Sequence, residues 1–99
     1  MREDTLDQIR ELRAALRAPA NEAAFQQWRD MVGEIDSSLQ WSACYSLTER
    51  KLMERLREGI AGVFSAYRAN QAPDLARAMV PLTALESLVI GRVGTASRR

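Results

Sequence analysis

The fold is decided by residues 24–39, which read AFQQWRDMVGEIDSSL. On a helical wheel at about 100° per residue, the apolar side chains of this stretch fall within an arc of about 120°, and polar residues such as Gln26, Asp30 and Glu34 occupy the other side. The stretch therefore predicts an amphipathic helix over about residues 21–40 with one buried face. The apolar residues of that face are Ala24, Phe25, Trp28, Met31, Val32, Ile35 and Leu39.

The same period recurs on both sides of this segment. Residues 5–17 carry a narrow apolar stripe of Leu6, Ile9, Leu12 and Leu16, and Pro19 is expected to end that helix. Residues 46–49, Ser-Leu-Thr-Glu, have the spacing of a capping box, which predicts the start of a third helix that ends near residue 70. Residues 73–74, Pro-Asp, predict the first turn of a fourth helix.

Residues 79–90 depart from this pattern, because eight of these twelve residues are apolar and they spread around nearly the whole wheel. Pro81 lies inside the run and predicts either a kink or a split into two helices at that point. Gly91 and Gly94 are expected to close the segment. The sequence thus predicts an all-α fold, a compact antiparallel bundle of four helices, or five if the last one splits at Pro81. One domain is expected over residues 1–94, with a flexible tail over residues 95–99.

Composition excludes several kinds of chemistry. The 99 residues include no histidine and one cysteine, Cys44, so that histidine-dependent nucleophiles, hydrolytic triads and zinc sites are excluded. The glycines do not form a phosphate-binding loop. We therefore expect no enzyme activity, no catalytic residue, no cofactor and no metal. A single cysteine allows no internal disulfide, and neither a leader-like segment at the N-terminus nor a membrane-spanning run is visible, which favours the cytoplasm.

Charge is balanced overall, at +1, but it divides unevenly along the chain. Residues 1–45 carry a net charge of −3 and residues 46–99 a net charge of +4. This division favours attraction between the halves, either within one chain or between copies. A basic half that binds a ligand is the alternative.

Three features favour binding to a partner. Small residues recur on the third predicted helix at a spacing that permits close helix approach, with a neighbouring helix of the same chain as the alternative explanation. The apolar run of residues 79–90 exceeds what a four-helix domain covers easily, unless that helix is central and fully wrapped. Two aromatic residues fall outside every stripe. The predicted partner-binding residues are Trp41, Tyr45, Leu82, Leu85, Leu88, Val89, Ile90, Gly59, Gly62 and Ala66.

These patterns predict a non-enzymatic protein–protein interaction module: an adaptor, a small chaperone or an inhibitor of bacterial or phage type. We expect it to act as a homodimer or bound to a protein partner, without a membrane or a small-molecule substrate. The alternative is a helical DNA-binding regulator that uses the third predicted helix. Its basic residues alternate with glutamates, as in an ordinary solvated helix face. These basic residues are Arg50, Lys51, Arg55 and Arg57.

Overall fold

The computed structural model describes residues 2–41 and 45–97. These residues form four helices and no strand: α1 (Arg2–Ala15), α2 (Glu22–Trp41), α3 (Leu47–Arg68) and α4 (Ala76–Ser97). The prediction of an all-helical fold is confirmed. Cys44, and residues 98–99 of the predicted tail, lie outside the described residues.

The four helices form a ring in chain order. Each packs against its two neighbours, α1 with α2, α2 with α3, α3 with α4 and α4 with α1, and within the described ranges the backbones of the diagonal pairs do not approach as closely. The chain direction of the helices alternates around this ring. Ser38, near the end of α2, donates a hydrogen bond of 2.8 Å to Gln8 of α1, while Trp28, nearer the start of α2, donates one of 3.1 Å to the carbonyl of Ala15 at the end of α1. Neighbouring helices α1 and α2 are therefore antiparallel.

Local signals at the helix ends explain where α3 begins and stops. The hydroxyl of Ser46 accepts a hydrogen bond of 3.2 Å from the backbone amide of Glu49, and the Glu49 carboxylate accepts one of 3.2 Å from the amide of Ser46. The predicted capping box is thus confirmed. At the other end Asn70 adopts a left-handed φ of 56°, which asparagine tolerates better than most residues. The amide of Gln71 then bonds the carbonyl of Ala66 at 2.8 Å, in a Schellman-type ending.

Helix α4 runs unbroken from Ala76 to Ser97 with Pro81 inside it, so that the predicted fifth helix is not confirmed. Proline removes one backbone donor, which here would have bonded the carbonyl of Arg77. That carbonyl packs against Gly59 of α3 instead. The helix also passes the predicted end at Gly94, and none of the described glycines adopts the left-handed conformation that ends helices.

The apolar stripes predicted for the first two helices supply their share of the core, and α3 and α4 supply the rest. Each of the four helices contributes side chains that are almost completely buried. On the α1–α4 side, Arg10 and Arg13 of α1 both form ion pairs with Glu86 of α4. The core residues are Ile9, Leu12, Leu16, Phe25, Trp28, Val32, Ile35, Leu39, Met53, Leu56, Ile60, Val63, Ala78, Leu82, Leu85 and Val89.

Candidate functional site

The predicted interface on α4 is mostly core. Leu82 and Leu85 have no exposed surface and Val89 has 3%, which means that no partner can contact them in the folded chain. This corrects their assignment as partner-binding residues. The reason is geometric: α1 and α3 cover two sides of α4, whereas the wheel counts apolar positions without showing which sides have neighbours. Leu88 is half-buried, and Ile90 is 45% exposed and remains on the surface.

The small residues of α3 serve a contact within the chain. A Cβ added at Gly59 would lie 2.6 Å from the carbonyl carbon of Arg77 and 2.8 Å from the backbone nitrogen of Ala78. A Cβ at Gly62 would lie 3.3 Å from the Arg77 guanidinium. The close approach that the sequence predicted is therefore real, but its partner at Gly59 and Gly62 is α4 of the same chain. Ala66, one turn further along, is half-buried.

The two aromatic residues that lay outside every stripe differ in environment. Trp41, the last residue of α2, is 83% exposed. Tyr45 is half-buried; its hydroxyl donates a hydrogen bond of 2.6 Å to Asp36, and the guanidinium of Arg50 lies 5.2 Å from its ring centre. Trp41 is thus accessible to a partner, whereas Tyr45 is occupied by contacts within the chain.

Asp36 is the centre of a polar cluster that joins α2 to α3. Besides the Tyr45 hydroxyl, its carboxylate accepts hydrogen bonds from Arg57 at 2.8 Å and Gln40 at 3.1 Å. Burial acts to raise the pKa of Asp36, but the hydrogen bonds from Tyr45 and Arg57 and the charge of Arg57 outweigh it and lower the pKa. Burial and the hydrogen bond to Asp36 raise the pKa of Tyr45 to about 12. At neutral pH the Asp36 carboxylate is thus ionised and accepts hydrogen bonds from Tyr45, Arg57 and Gln40. This arrangement is suited to holding α2 and α3 together.

The four basic residues of the DNA-binding alternative do not share one face of α3. Arg50 and Arg57, about 20° apart on the wheel, engage Tyr45 and Asp36 toward α2. Lys51 and Arg55 are exposed and lie about 100° or more away. A phosphate backbone could reach only part of this set from any one direction.

A groove of about 760 Å³ lies between α2 and α3, and we call it the α2–α3 groove. Ion pairs cross it near its two ends, Asp36 with Arg57 at 2.8 Å and Glu22 with Arg68 at 3.7 Å. Its lining spans residues 22–33 of α2 and 57–68 of α3, about 17 Å on each helix. The lining residues are Glu22, Phe25, Gln26, Arg29, Val32, Gly33, Arg57, Ile60, Ala61, Phe64 and Arg68.

Small residues explain why this groove is open. Gly33 faces it from α2, and a Cβ added there would meet nothing within 4 Å. Ala61 faces it from α3 and is exposed. Toward the Glu22–Arg68 end of the groove, the ring of Phe25 packs edge-on against Phe64, with centroids 4.3 Å apart, and forms an aromatic floor. The groove therefore combines open space beside Gly33 with an aromatic floor toward one end.

The sequence does not predict this groove, because the helical wheel puts Gly33 on the polar side of the second predicted helix, away from the apolar stripe. A signal was present: a glycine inside a helix costs about 1 kcal/mol relative to alanine, and no turn at Gly33 requires it. Whether such a glycine leaves space between helices depends on the neighbouring helix, which a single wheel does not include.

Within the described residues, no group of three or more histidine, cysteine, aspartate or glutamate side chains is placed to hold a metal ion. Among the helices of the described part, none has the combination of length and apolarity that crossing a bilayer requires. Comparisons of the chain with protein-family models, with curated proteins and with solved structures find no match.

Proposed function

We propose that this chain is a non-enzymatic protein-interaction module that receives a segment of a partner protein in the α2–α3 groove. The observation that carries the proposal is the open groove with an aromatic floor beside the buried core. An adaptor, a small chaperone or an inhibitor of a bacterial or phage system, acting in the cytoplasm, fits this role.

The shape of the groove favours a helical segment. About 17 Å corresponds to three turns of helix, and residues on successive turns of α2 and α3 form the two walls. Grooves between helices commonly bind an amphipathic helix, whose apolar side chains recur at a spacing of three or four residues. Its total volume lies within the range of small-molecule pockets, but its extended, open form matches a helix better than a compact ligand.

Site-specific photo-crosslinking in the cells that contain this chain tests the proposal. A benzophenone amino acid replaces Gln26, which lines the groove, or Gln27, which is also exposed but points about 100° away. We expect a crosslinked adduct of one defined partner, identified by mass spectrometry, from position 26 and not from position 27. Equal adducts from both positions, or none from position 26, would contradict the proposal.

A second mode, self-association through α4, is favoured by one specific observation. Val80, Thr83, Ser87 and Ile90 lie on the outer face of α4 with spacings of three, four and three residues, and none of the four is charged. Arg13 of α1 donates a hydrogen bond of 3.1 Å to Thr83 at the edge of this face. Val80 is 67% and Ile90 45% exposed. In an antiparallel pair of copies whose two-fold axis passes near position 85, position 80 of each copy would oppose position 90 of the other. We propose a homodimer through this face.

Light scattering after size-exclusion chromatography tests the homodimer. Leu47, at the start of α3, has the same 67% exposure as Val80 and supplies a matched control. We expect twice the chain mass of 11.1 kDa for the wild type and for Leu47→Asp, and the single chain mass for Val80→Asp. A wild type that elutes at the single mass, or equal masses for the two variants, would contradict the α4 interface.

A further inference from the structure

We propose that the occupant of the α2–α3 groove is an amphipathic helix with acidic flanks, supplied by a different protein. The inference rests on the proposed function and names the chemistry of the partner. It is drawn from the charges at the rim of the groove and from the faces that this chain itself exposes.

The rim is positively charged. Three arginines, Arg29, Arg57 and Arg68, line the groove, and two carboxylates at its ends, Asp36 and Glu22, pair with Arg57 and Arg68. The net excess is one positive charge. Arg57 is held tightly by Asp36 at 2.8 Å, while Arg29 stands exposed on α2. A carboxylate on a bound helix would therefore meet the guanidinium of Arg29, which can pair with it in a fixed, two-pronged geometry.

Arg68 is placed to exchange its present contacts for those of a partner. Its guanidinium lies 4.5 Å from the ring centre of Phe64 and 3.7 Å from Glu22, and both members of this ion pair are largely exposed. Exposed ion pairs of this kind contribute little to stability. A partner carboxylate can displace Glu22 at little cost, and movement of Arg68 would uncover more of the Phe64 ring.

A second copy of this chain does not supply such a helix. The apolar stripes of α1 to α4 are used in the core. The outer face of α4 with Val80 and Ile90 has no carboxylate, and the outer face of α2 with Asp30 and Glu34 has no apolar stripe. Since no described face combines carboxylates with an apolar stripe, the occupant comes from another chain.

Two designed helical peptides with the same leucine stripe test the inference, one flanked by glutamates and one by lysines. Fluorescence anisotropy with the full chain is expected to show at least about tenfold tighter binding of the acidic peptide, weakening as salt is added. Arg29→Glu is expected to weaken acidic-peptide binding about tenfold, while Arg55→Glu, the same charge change on an exposed residue outside the groove, has less than about a twofold effect. Circular dichroism of both variants checks that they remain helical.

Several outcomes would overturn the inference. Equal or tighter binding of the lysine peptide, or no binding of the acidic one, would exclude an acidic helix as the occupant. Equal losses in Arg29→Glu and Arg55→Glu would indicate general charge attraction only. A wild-type dimer that Arg29→Glu dissociates would show that a second copy fills the groove. If the crosslink from position 26 persists while the acidic peptide fails to bind, the interaction function stands and only the acidic chemistry is wrong.

Discussion

The contact between α3 and α4 at Gly59 gives the sharpest prediction about stability. A Cβ at this position would lie 2.6 Å from the Arg77 carbonyl carbon, whereas carbon atoms in ordinary contact are about 3.5–4.0 Å apart. Because the opposing atoms are backbone, no side chain can rotate away, and α4 must shift by about 1 Å. Gly59→Ala is therefore expected to disturb the whole α3–α4 packing.

The magnitude follows from two opposing effects. Overpacking costs about 1–3 kcal/mol, and a clash with backbone belongs at the upper end of that range. Alanine regains about 1 kcal/mol of helix propensity over glycine. Gly59→Ala should thus lose about 2 kcal/mol of unfolding free energy, a fall in Tm of roughly 8–16 °C for a chain of this length.

Gly33→Ala is the matched control, since it makes the same chemical change inside α2. Nothing lies within 4 Å of a Cβ at Gly33, so only the propensity gain remains, about 1 kcal/mol of added stability. Urea and thermal unfolding followed by far-UV circular dichroism measure both variants. If Gly59→Ala stabilised the protein as much as Gly33→Ala does, the close approach of α3 and α4 described above would be wrong.

Three further predictions concern other parts of the bundle. Because the pKa of Asp36 is lowered in the folded chain, its contribution to stability is complete above the unfolded value of 3.8 and is lost as pH falls through the lower folded value. Asp36→Asn should therefore lose less stability than the wild type between pH 7 and pH 3, as measured by urea titrations. An identical loss would argue against the cluster. Ser46→Ala removes the side-chain cap of α3 and should cost about 1 kcal/mol in the same assay, with no change refuting the cap. Trp28→Ala should cost about 3–5 kcal/mol of unfolding free energy because the Trp28 ring is buried. Trp41 is 83% exposed, so Trp41→Ala should stay within about 0.5 kcal/mol of the wild type. Similar losses for both variants would refute this difference in burial.

Much of the fold follows from local sequence signals. The stripe that contains Trp28 and Ile35 predicts a buried helix face because helical period is a property of neighbouring residues, and both side chains are buried in the structure. The capping box at Ser46 is predictable for the same reason, since both of its hydrogen bonds join residues that are three positions apart in the sequence.

The features that could not be predicted depend on two helices at once. Whether α4 continues through Pro81 involves the carbonyl of Arg77, which packs against Gly59 on another helix. The burial of Leu85 depends on which sides of α4 are covered by α1 and α3. The groove over Gly33 likewise depends on the spacing between α2 and α3, which neither segment determines alone.

The central claim is that the α2–α3 groove is the binding surface. The most direct test measures how tightly two glycine-to-leucine variants bind the acidic peptide. Gly33 and Gly91 are both exposed helical glycines with nothing within 4 Å of a Cβ, but only Gly33 lines the groove. We expect Gly33→Leu to fill the groove and weaken binding at least about tenfold, with Gly91→Leu binding like the wild type. Undiminished binding by Gly33→Leu would contradict the claim.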